Sequence, residues 1–426
     1  MIDSKASARE VVDMLRDGRF SDLEARFAPA LRAAASAETV RAAWMTELAR
    51  IGAPSVVGEP TTEDRDPGLV RVTVRVVGER GELSVVMSLD PAGVLHGLRL
   101  VPAGVDVGWT PPPYAVRRRL AERQVTVGTG SLRVEGTLTA PRRVLGWRKG
   151  PAVVLLGGGG PVDRDGSAGP NKPMKDLAWG LATLGIASIR FDKVTYVHGE
   201  QVATRPEFTM TDEYVPYAVA AVRLLREQPG VNGTRVYVLG HSMGGKVAPR
   251  VAAAEPSLAG LVVMAGDAAP MHHAAVRVAR YLARLNPGPA ADEAVRTAAR
   301  QASLVDGLDP SAASPGRDLP LGLSAAYWLD QRDYDPVATA VSINRRMLIV
   351  QGGRDYQVTV DDDLARWRAG LGHRSDVTIR VYPDDDHLFF SGTGPSTPDS
   401  YYQPQHVDGM VIRQTAEWLR AGGRRR

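Results

Sequence analysis

Val236–Gly245 reads VYVLGHSMGG, a run of apolar residues that ends in Gly-His-Ser-Met-Gly-Gly. Glycines two residues to either side of a serine permit a sharp strand-to-helix turn that holds the hydroxyl strained and exposed. A side chain at Gly240 or Gly244 would collide with neighbouring backbone. The Gly-x-Ser-x-Gly pattern alone is weak, because glycine is frequent in this chain, at 44 of 426 residues. Its flanks make it informative. RVYVL has the character of a buried strand, and MGGKVAPRVAAAE starts a helix. The chemistry open to such a serine is nucleophilic attack on an acyl carbon, for which the hydroxyl of Ser242 needs a base.

A histidine serves as that base when a carboxylate holds its tautomer and stabilises the imidazolium. In the sheet architecture that carries this turn, the acid and the histidine follow the serine, each on a loop after a later strand. Asp355 in MLIVQGGRDYQV lies just past a strand. Its rivals are Asp267, after GLVVMAG, and Asp361–Asp363, which read as the N-terminal cap of a helix. For the base, His387 in TIRVYPDDDHLFF follows a strand and falls at the edge where the serine must be. His373 precedes that strand and belongs to the opposite edge. His406 lies near the last helix, His272 and His273 come before the acid, and His241 reads as a packing residue of the turn. Acyl transfer also builds an oxyanion that amide donors must meet. Met243 N–H, first after the serine, is one. VVLLGGGGPVDRDG supplies a second at Gly159, with Gly158 next. That loop lacks the Gly-Lys-Ser/Thr ending of a phosphate-binding loop.

The elements that must position these residues begin at Pro151, where short apolar strands alternate with helical stretches. This rhythm predicts an α/β fold, with a mostly parallel sheet covered by helices on both faces. Helices are expected near 175–184 and 212–228, from Met243, and near 411–419. RQVTVGTGSLRVEGTLTAP reads as an antiparallel hairpin before them. Residues 271–341 break the rhythm with an Ala- and Arg-rich helical stretch and loops at NPGP and PSAASPGRDLP. It is expected to be a lid over the active end of the sheet. Tyr327, Trp328 and Tyr334 would then line an acyl pocket or pack the lid against the sheet. Lys172, Arg190 and Arg332 would meet an acidic substrate or form structural ion pairs.

Residues 1–107 read as a separate, small α+β domain. Ala6–Arg16 and Ala37–Ile51 have helical spacing, with Val11, Leu15, Val40, Trp44 and Leu48 as core contacts. LVRVTVRVVGE, ELSVVMSLD and GVLHGLRLVP follow as three strands, with Gly78 and Gly81 bracketing a hairpin turn. Helices followed by a curved antiparallel sheet suggest a cone-shaped fold, accessory to the catalytic part or used in dimerisation. His96 in the last strand reads as a packing residue. GWTPPPY, with three consecutive prolines, reads as the linker to a catalytic domain over 108–426.

Composition narrows the function. No apolar run approaches the roughly 20 residues that span a bilayer, and the early charges of MIDSKASAREVVDML do not fit a signal peptide. The absence of cysteine from the sequence removes disulfides, thiolate metal sites and a cysteine nucleophile, and fits a cytoplasmic protein. The net charge of +4 is supplied in part by Arg424–Arg426. No basic run is interleaved with aromatics, so nucleic acid is not an expected partner. The expected partner is a small-molecule acyl substrate, with no cofactor and no metal; a homodimer is left open.

With these residues placed, the chain resembles the α/β-hydrolase superfamily. More closely, it resembles bacterial serine hydrolases that carry a small N-terminal α+β domain of unknown function. The resemblance runs from about Val116 to Leu419 through GPVDRDG, NKPMKDLAWGLATLGIASIRFDK, LGHSMGGKVAPR, YWLDQRDYDPVATA, QGGRDYQVT, YPDDDHLFF and GTGPSTP. It implies Ser242 as nucleophile, Asp355 as acid and His387 as base, and esterase, thioesterase or peptidase-like chemistry. Two departures stand out. Where the family has His-Gly-Ser-Gly-Pro, this chain has Gly157-Gly158-Gly159-Gly160-Pro161, which removes two side chains that would brace the oxyanion loop. Where the family has apolar or amide residues before the histidine, this chain has Asp384–Asp386, which favour the imidazolium. Three other readings stay open: an acyltransferase or macrocyclase on the same fold, a non-hydrolytic lyase or cyclase, and a binding protein whose working part is the N-terminal unit.

Overall fold

The computed structural model describes residues 3–66, 68–102, 108–142, 149–309 and 319–422. Residues 310–318 of the expected loop and the basic tail Arg424–Arg426 lie outside them. The chain divides into two compact units, Met1–Val107 with Pro315–Leu323, and Gly108–Ser314 with Ser324–Arg426.

In the first unit, α1 (Ser4–Arg16), α2 (Phe20–Ala25), α3 (Pro29–Ala34) and α4 (Ala37–Ile51) precede β1 (Pro54–Val57), β2 (Thr61–Asp66), β3 (Leu69–Gly78), β4 (Glu82–Leu89) and β5 (Leu95–Pro102). The strands form one antiparallel sheet in the order β1-β3-β4-β5, with β2 paired to β3. Period-two alternation puts Leu83, Val85, Met87 and Leu89 on the buried face of β4, beside Val72, Val74 and Val76 of β3. Val11, Leu15 and Trp44 close that core from the helices. Each such side chain stabilises by about 1.5–3 kcal/mol when fully buried. Sequence pattern predicts three strands here, and the structure has five. β2 is TTEDRD, with no apolar alternation to reveal it, and its register comes from backbone pairing with β3.

The second unit is built on β6 (Leu120–Val127), β7 (Val134–Pro141), β8 (Gly150–Leu156), β9 (Ala187–Phe191), β10 (Val231–His241), β11 (Gly260–Met264), β12 (Arg346–Gly352) and β13 (Val377–Tyr382). Their order in the sheet is β13-β12-β11-β10-β8-β9-β7-β6. From β9 to β13 every pairing is parallel, while β6 and β7 form an antiparallel hairpin that joins β9. Strands β9 and β11 are buried at every position, as strands covered on both faces must be.

The helices of this unit are α5 (Pro173–Thr183), α6 (Val194–Val197), α7 (Gly199–Ala203), α8 (Met210–Arg226), α9 (Met243–Ala254), α10 (Met271–Leu285), α11 (Pro289–Asp306), α12 (Ala325–Asp333), α13 (Pro336–Ser342), α14 (Ala365–Leu371) and α15 (Gly409–Ala421). Helices α10 to α13 lie in the insertion between β11 and β12. The segment read as a linker is seated on this unit. Trp109 Nε1 donates to Asp176 of α5 at 2.8 Å, and its ring meets Trp179 edge-on at 5.1 Å. No helix among the described residues is long and apolar enough to cross a membrane.

Candidate active site

Strand β10 ends at His241 and helix α9 starts at Met243, so the whole change of direction falls on Ser242. Its φ is 55° and ψ −123°, a left-handed conformation that costs about 1–3 kcal/mol for a side chain of this kind. Local packing enforces it. A Cβ on Gly240 would overlap the carbonyl oxygen of Gly244, and one on Gly244 would lie 2.6 Å from the carbonyl oxygens of Leu156 and Gly157. Strand β10, helix α9 and the end of β8 therefore meet backbone to backbone, and the serine N–H is tied to Met264 O at 2.9 Å.

Asp355 follows β12 and His387 follows β13, the two strands beyond β11 at that end of the sheet. His387 Nδ1 donates to Asp355 Oδ2 at 2.8 Å, which leaves Nε2 as the basic nitrogen. Asp355 is itself held by Gln351 Nε2 at 3.0 Å and by the N–H groups of Gln357 and Val358 at 2.8 and 2.9 Å. Arg354 staples the two loops together through its N–H to Asp385 O and its guanidinium to Asp384 O and Gly394 O. The histidine loop reaches the serine through its neighbour. His241 Nε2 donates to His387 O at 2.8 Å, and the two rings stand 4.8 Å apart. Among the described residues, no hydrogen bond joins the Ser242 hydroxyl to the His387 ring. Such contacts are often long without substrate and tighten in the complex.

The two imidazoles titrate in opposite directions. Burial works against the His387 cation, but the charge and hydrogen bond of Asp355 overcome it, helped by Asp386 and Asp267, so its pKa is raised. His241 is pushed down to about 4 by burial and by the neighbouring His387, and so is neutral in ordinary conditions. Ahead of His387, Asp386 accepts from the N–H groups of Leu388 and Phe390, and Asp385 accepts from Ser391 Oγ at 2.7 Å. Burial raises Asp385 to about 7. Asp267, the rival acid, is instead paired with the buried Lys246 at 3.3 Å. Asp363 caps Ala268 N–H and Ala269 N–H and pairs with Arg277.

The glycine loop after β8 lies against the serine. A Cβ on Gly158 would stand 3.3 Å from Ser242 Cβ and 3.7 Å from its Oγ, and one on Gly159 would meet the Met243 side chain. Gly159 N–H has no acceptor among the described residues. Met243 N–H opens α9, where first-turn amides lack intrahelical partners and the helix dipole favours negative charge.

Sequence reasoning missed what lies behind this loop. Lys193, just past β9, is buried and donates to Gly158 O at 3.0 Å and to Tyr214 OH at 2.8 Å. It also pairs with the buried Glu213 at 3.1 Å. Tyr214 OH lies 2.7 Å from Gly158 O and 3.2 Å from Gly157 O. Glu213 accepts in addition from Thr195 and, at 2.7 Å, from Tyr327 OH. Burial lowers the Lys193 pKa, against the opposing charge of Glu213. The one available signal was the lysine itself, placed at the end of an apolar strand, at the same edge of the sheet as Ser242.

The other candidates are distributed as follows. Tyr327 is buried, and its hydroxyl also touches Met243 Sδ at 3.3 Å. Trp328 is buried, 6.1 Å from the His272 ring. Tyr334 stacks under Arg250 at 3.7 Å. Lys172 is held by Asp165 at 3.0 Å, Arg190 by Asp165 and Glu122, and Arg332 by Asp333 and main-chain carbonyls. All three cations are thus engaged within the protein. His272 and His273 both reach Asp306, at 2.9 and 3.0 Å, a group whose ligand atoms lie close enough to share a metal ion. His406 pairs with Asp176 at 3.1 Å.

Residues 153–398 match the sequence model of the alpha/beta hydrolase family. Esterase EstD of Thermotoga maritima is 35% identical over 342 residues, which are 80% of this chain and 77% of that protein. Two solved structures are also similar. Est1E from Butyrivibrio proteoclasticus is 16% identical with a TM-score of 0.45, covering 70% of this chain and 98% of its own. The Pyrococcus furiosus esterase PF2001 is 16% identical with a TM-score of 0.45, over 75% and 97%.

Proposed function

The chain belongs to the alpha/beta hydrolase family, and from that premise we propose that it hydrolyses carboxylic esters, with Ser242 as nucleophile, His387 as base and Asp355 as its acid partner. The observation that carries the reading is the Asp355–His387 hydrogen bond at 2.8 Å, on a loop that contacts the residue preceding the strained serine.

His387 Nε2 takes the Ser242 proton as Oγ attacks the acyl carbon. The resulting oxyanion is met by Met243 N–H and by Gly159 N–H, with Gly158 beside it. His387, now protonated and held by Asp355, gives its proton to the leaving oxygen. Water, deprotonated by the same imidazole, then releases the acid from the acyl-enzyme. Thioesters fit the same steps, since only the leaving atom changes. Helix α12 forms one wall of the acyl pocket, because Tyr327 touches Met243, and helices α10 to α13 act as a lid. Tyr281 of α10 stacks at 5.1 Å on Tyr356, next to the acid, which supports that placement. Trp328 and Tyr334 serve the pocket through packing, while Lys172 is held by Asp165. Localisation in the cytoplasm completes the reading.

The test is labelling with a fluorophosphonate, which reacts with activated serines. Wild type should label and Ser242→Ala should not. The substitution should also cost about 10⁶-fold in kcat on a 4-nitrophenyl ester. Labelling that survives Ser242→Ala would overturn the nucleophile.

A further inference from the structure

Gly158 C=O and Gly159 N–H belong to one peptide plane. In a trans peptide the two point in opposite directions. Whatever holds the oxygen therefore aims the N–H, and whatever withdraws electrons at the oxygen makes the N–H a stronger donor. The oxygen of this peptide is held twice, by Lys193 Nζ at 3.0 Å and by Tyr214 OH at 2.7 Å. We propose that Lys193 and Tyr214 are positioning residues that fix and polarise the Gly158–Gly159 peptide, so that its N–H is a stronger oxyanion donor than an ordinary backbone amide. This rests on the reading of Gly159 as an oxyanion donor given above.

The arrangement suits that role. The ammonium has three protons, and they go to Gly158 O, Tyr214 OH and Glu213. Tyr214 accepts from Lys193 and passes a proton toward the same carbonyl, so the two donors form a chain in which each bond strengthens the next. A cation on the carbonyl makes this a charge-assisted bond, roughly twice as strong as a neutral one. Glu213 compensates the buried charge and is itself satisfied by Tyr327 and Thr195. The glycine loop has lost the histidine and serine side chains that the family resemblance expects. The cation below replaces bracing from within the loop by bracing from β9 and α8.

Two variants and two readouts test this. Lys193→Met with Glu213→Gln removes the charge pair without stranding either partner. Tyr214→Phe removes one of the two bonds to Gly158 O. Loss of a whole oxyanion donor costs about 10²–10³-fold in kcat, so loss of its polarisation should cost about 10- to 50-fold in the double variant and about 3- to 5-fold in Tyr214→Phe. KM for 4-nitrophenyl butyrate should stay within about twofold. A trifluoromethyl ketone, which adds the serine and carries the oxyanion, should lose affinity by the same factor as kcat/KM. A merely structural role would raise KM and the inhibition constant together. Folded variants that keep the wild-type affinity for the ketone, or lose only KM, would overturn the proposal. If the double variant does not fold, Tyr214→Phe decides the matter by the same criteria. Ser242→Ala separates the two readings: if it stays active, the nucleophile is wrong, whereas if it is inert and the network variants behave as wild type, only the polarised peptide is wrong.

Discussion

Two loops at the same edge of the sheet surround themselves with opposite charge. Behind the glycine loop after β8 stands an ammonium, Lys193, in contact with Gly158 O. Around the histidine loop after β13 stand carboxylates, with Asp355 bonded to the ring and Asp386 and Asp267 adding to the field at His387. In the reaction proposed, negative charge develops in front of the first loop and positive charge on the second. Each buried group thus has the sign opposite to the charge it would face. The two sides differ in how completely they are balanced. Lys193 is matched by Glu213, and every proton of the pair has a partner. On the histidine side, Asp385 is raised to about 7 and its Oδ2 is buried without a hydrogen bond. The cationic side is built as a fixed support, and the anionic side keeps a group that titrates near neutrality.

The contrast can be broken or sharpened from its strongest element down. Asp355→Asn should remove the main support of the imidazolium and cost about 10⁴-fold in kcat, measured on a 4-nitrophenyl ester, with the fold kept. A loss of only a few-fold would mean that another carboxylate holds the base. Asp386→Asn should act more gently. Because Asp386 raises the pKa of His387, its loss moves the acid limb of kcat/KM to lower pH. In wild type that limb should lie above about 6.5, the ordinary histidine value, because only the neutral imidazole accepts the proton. Activity of the variant at pH 6 should therefore exceed wild type a few-fold, and an unmoved limb would remove Asp386 from the account. Asp385→Asn should change stability more than rate. A carboxyl whose folded pKa is raised binds its proton more tightly when folded, so wild type loses stability as pH rises from about 4 to about 7. The Tm gain of Asp385→Asn should be larger at pH 8 than at pH 5 by scanning fluorimetry. An equal gain at both would show that the carboxyl is not protonated in the folded protein.

Much of the sheet was legible because strands covered on both faces must be continuous apolar runs, as in AVVLL, RVYVL and MLIVQ. β2 was not, since TTEDRD buries nothing that a pattern can register. The order of strands and the loops after them were enough to nominate Ser242, Asp355 and His387. They favoured Asp355 over Asp267, although both follow strands at the same edge. What separates them is Lys246, which holds Asp267, and His387, which bonds Asp355. The Lys193 network was illegible for a different reason. It joins residues 158, 193, 213, 214 and 327, and a lone lysine or tyrosine in sequence carries no sign of what the topology will bring beside it. GWTPPPY has no regular structure, as its three prolines require, and Trp109 is still anchored on α5.

The crowding at Gly240 and Gly244 sets what redesign of this protein can reach. Neither position tolerates so much as a methyl group, while Ser242, midway between them, carries a half-buried side chain. An engineer can therefore exchange the proposed nucleophile, for instance by Ser242→Cys, without touching the scaffold. Moving it one place along the chain would require rebuilding the junction of three backbone segments at once.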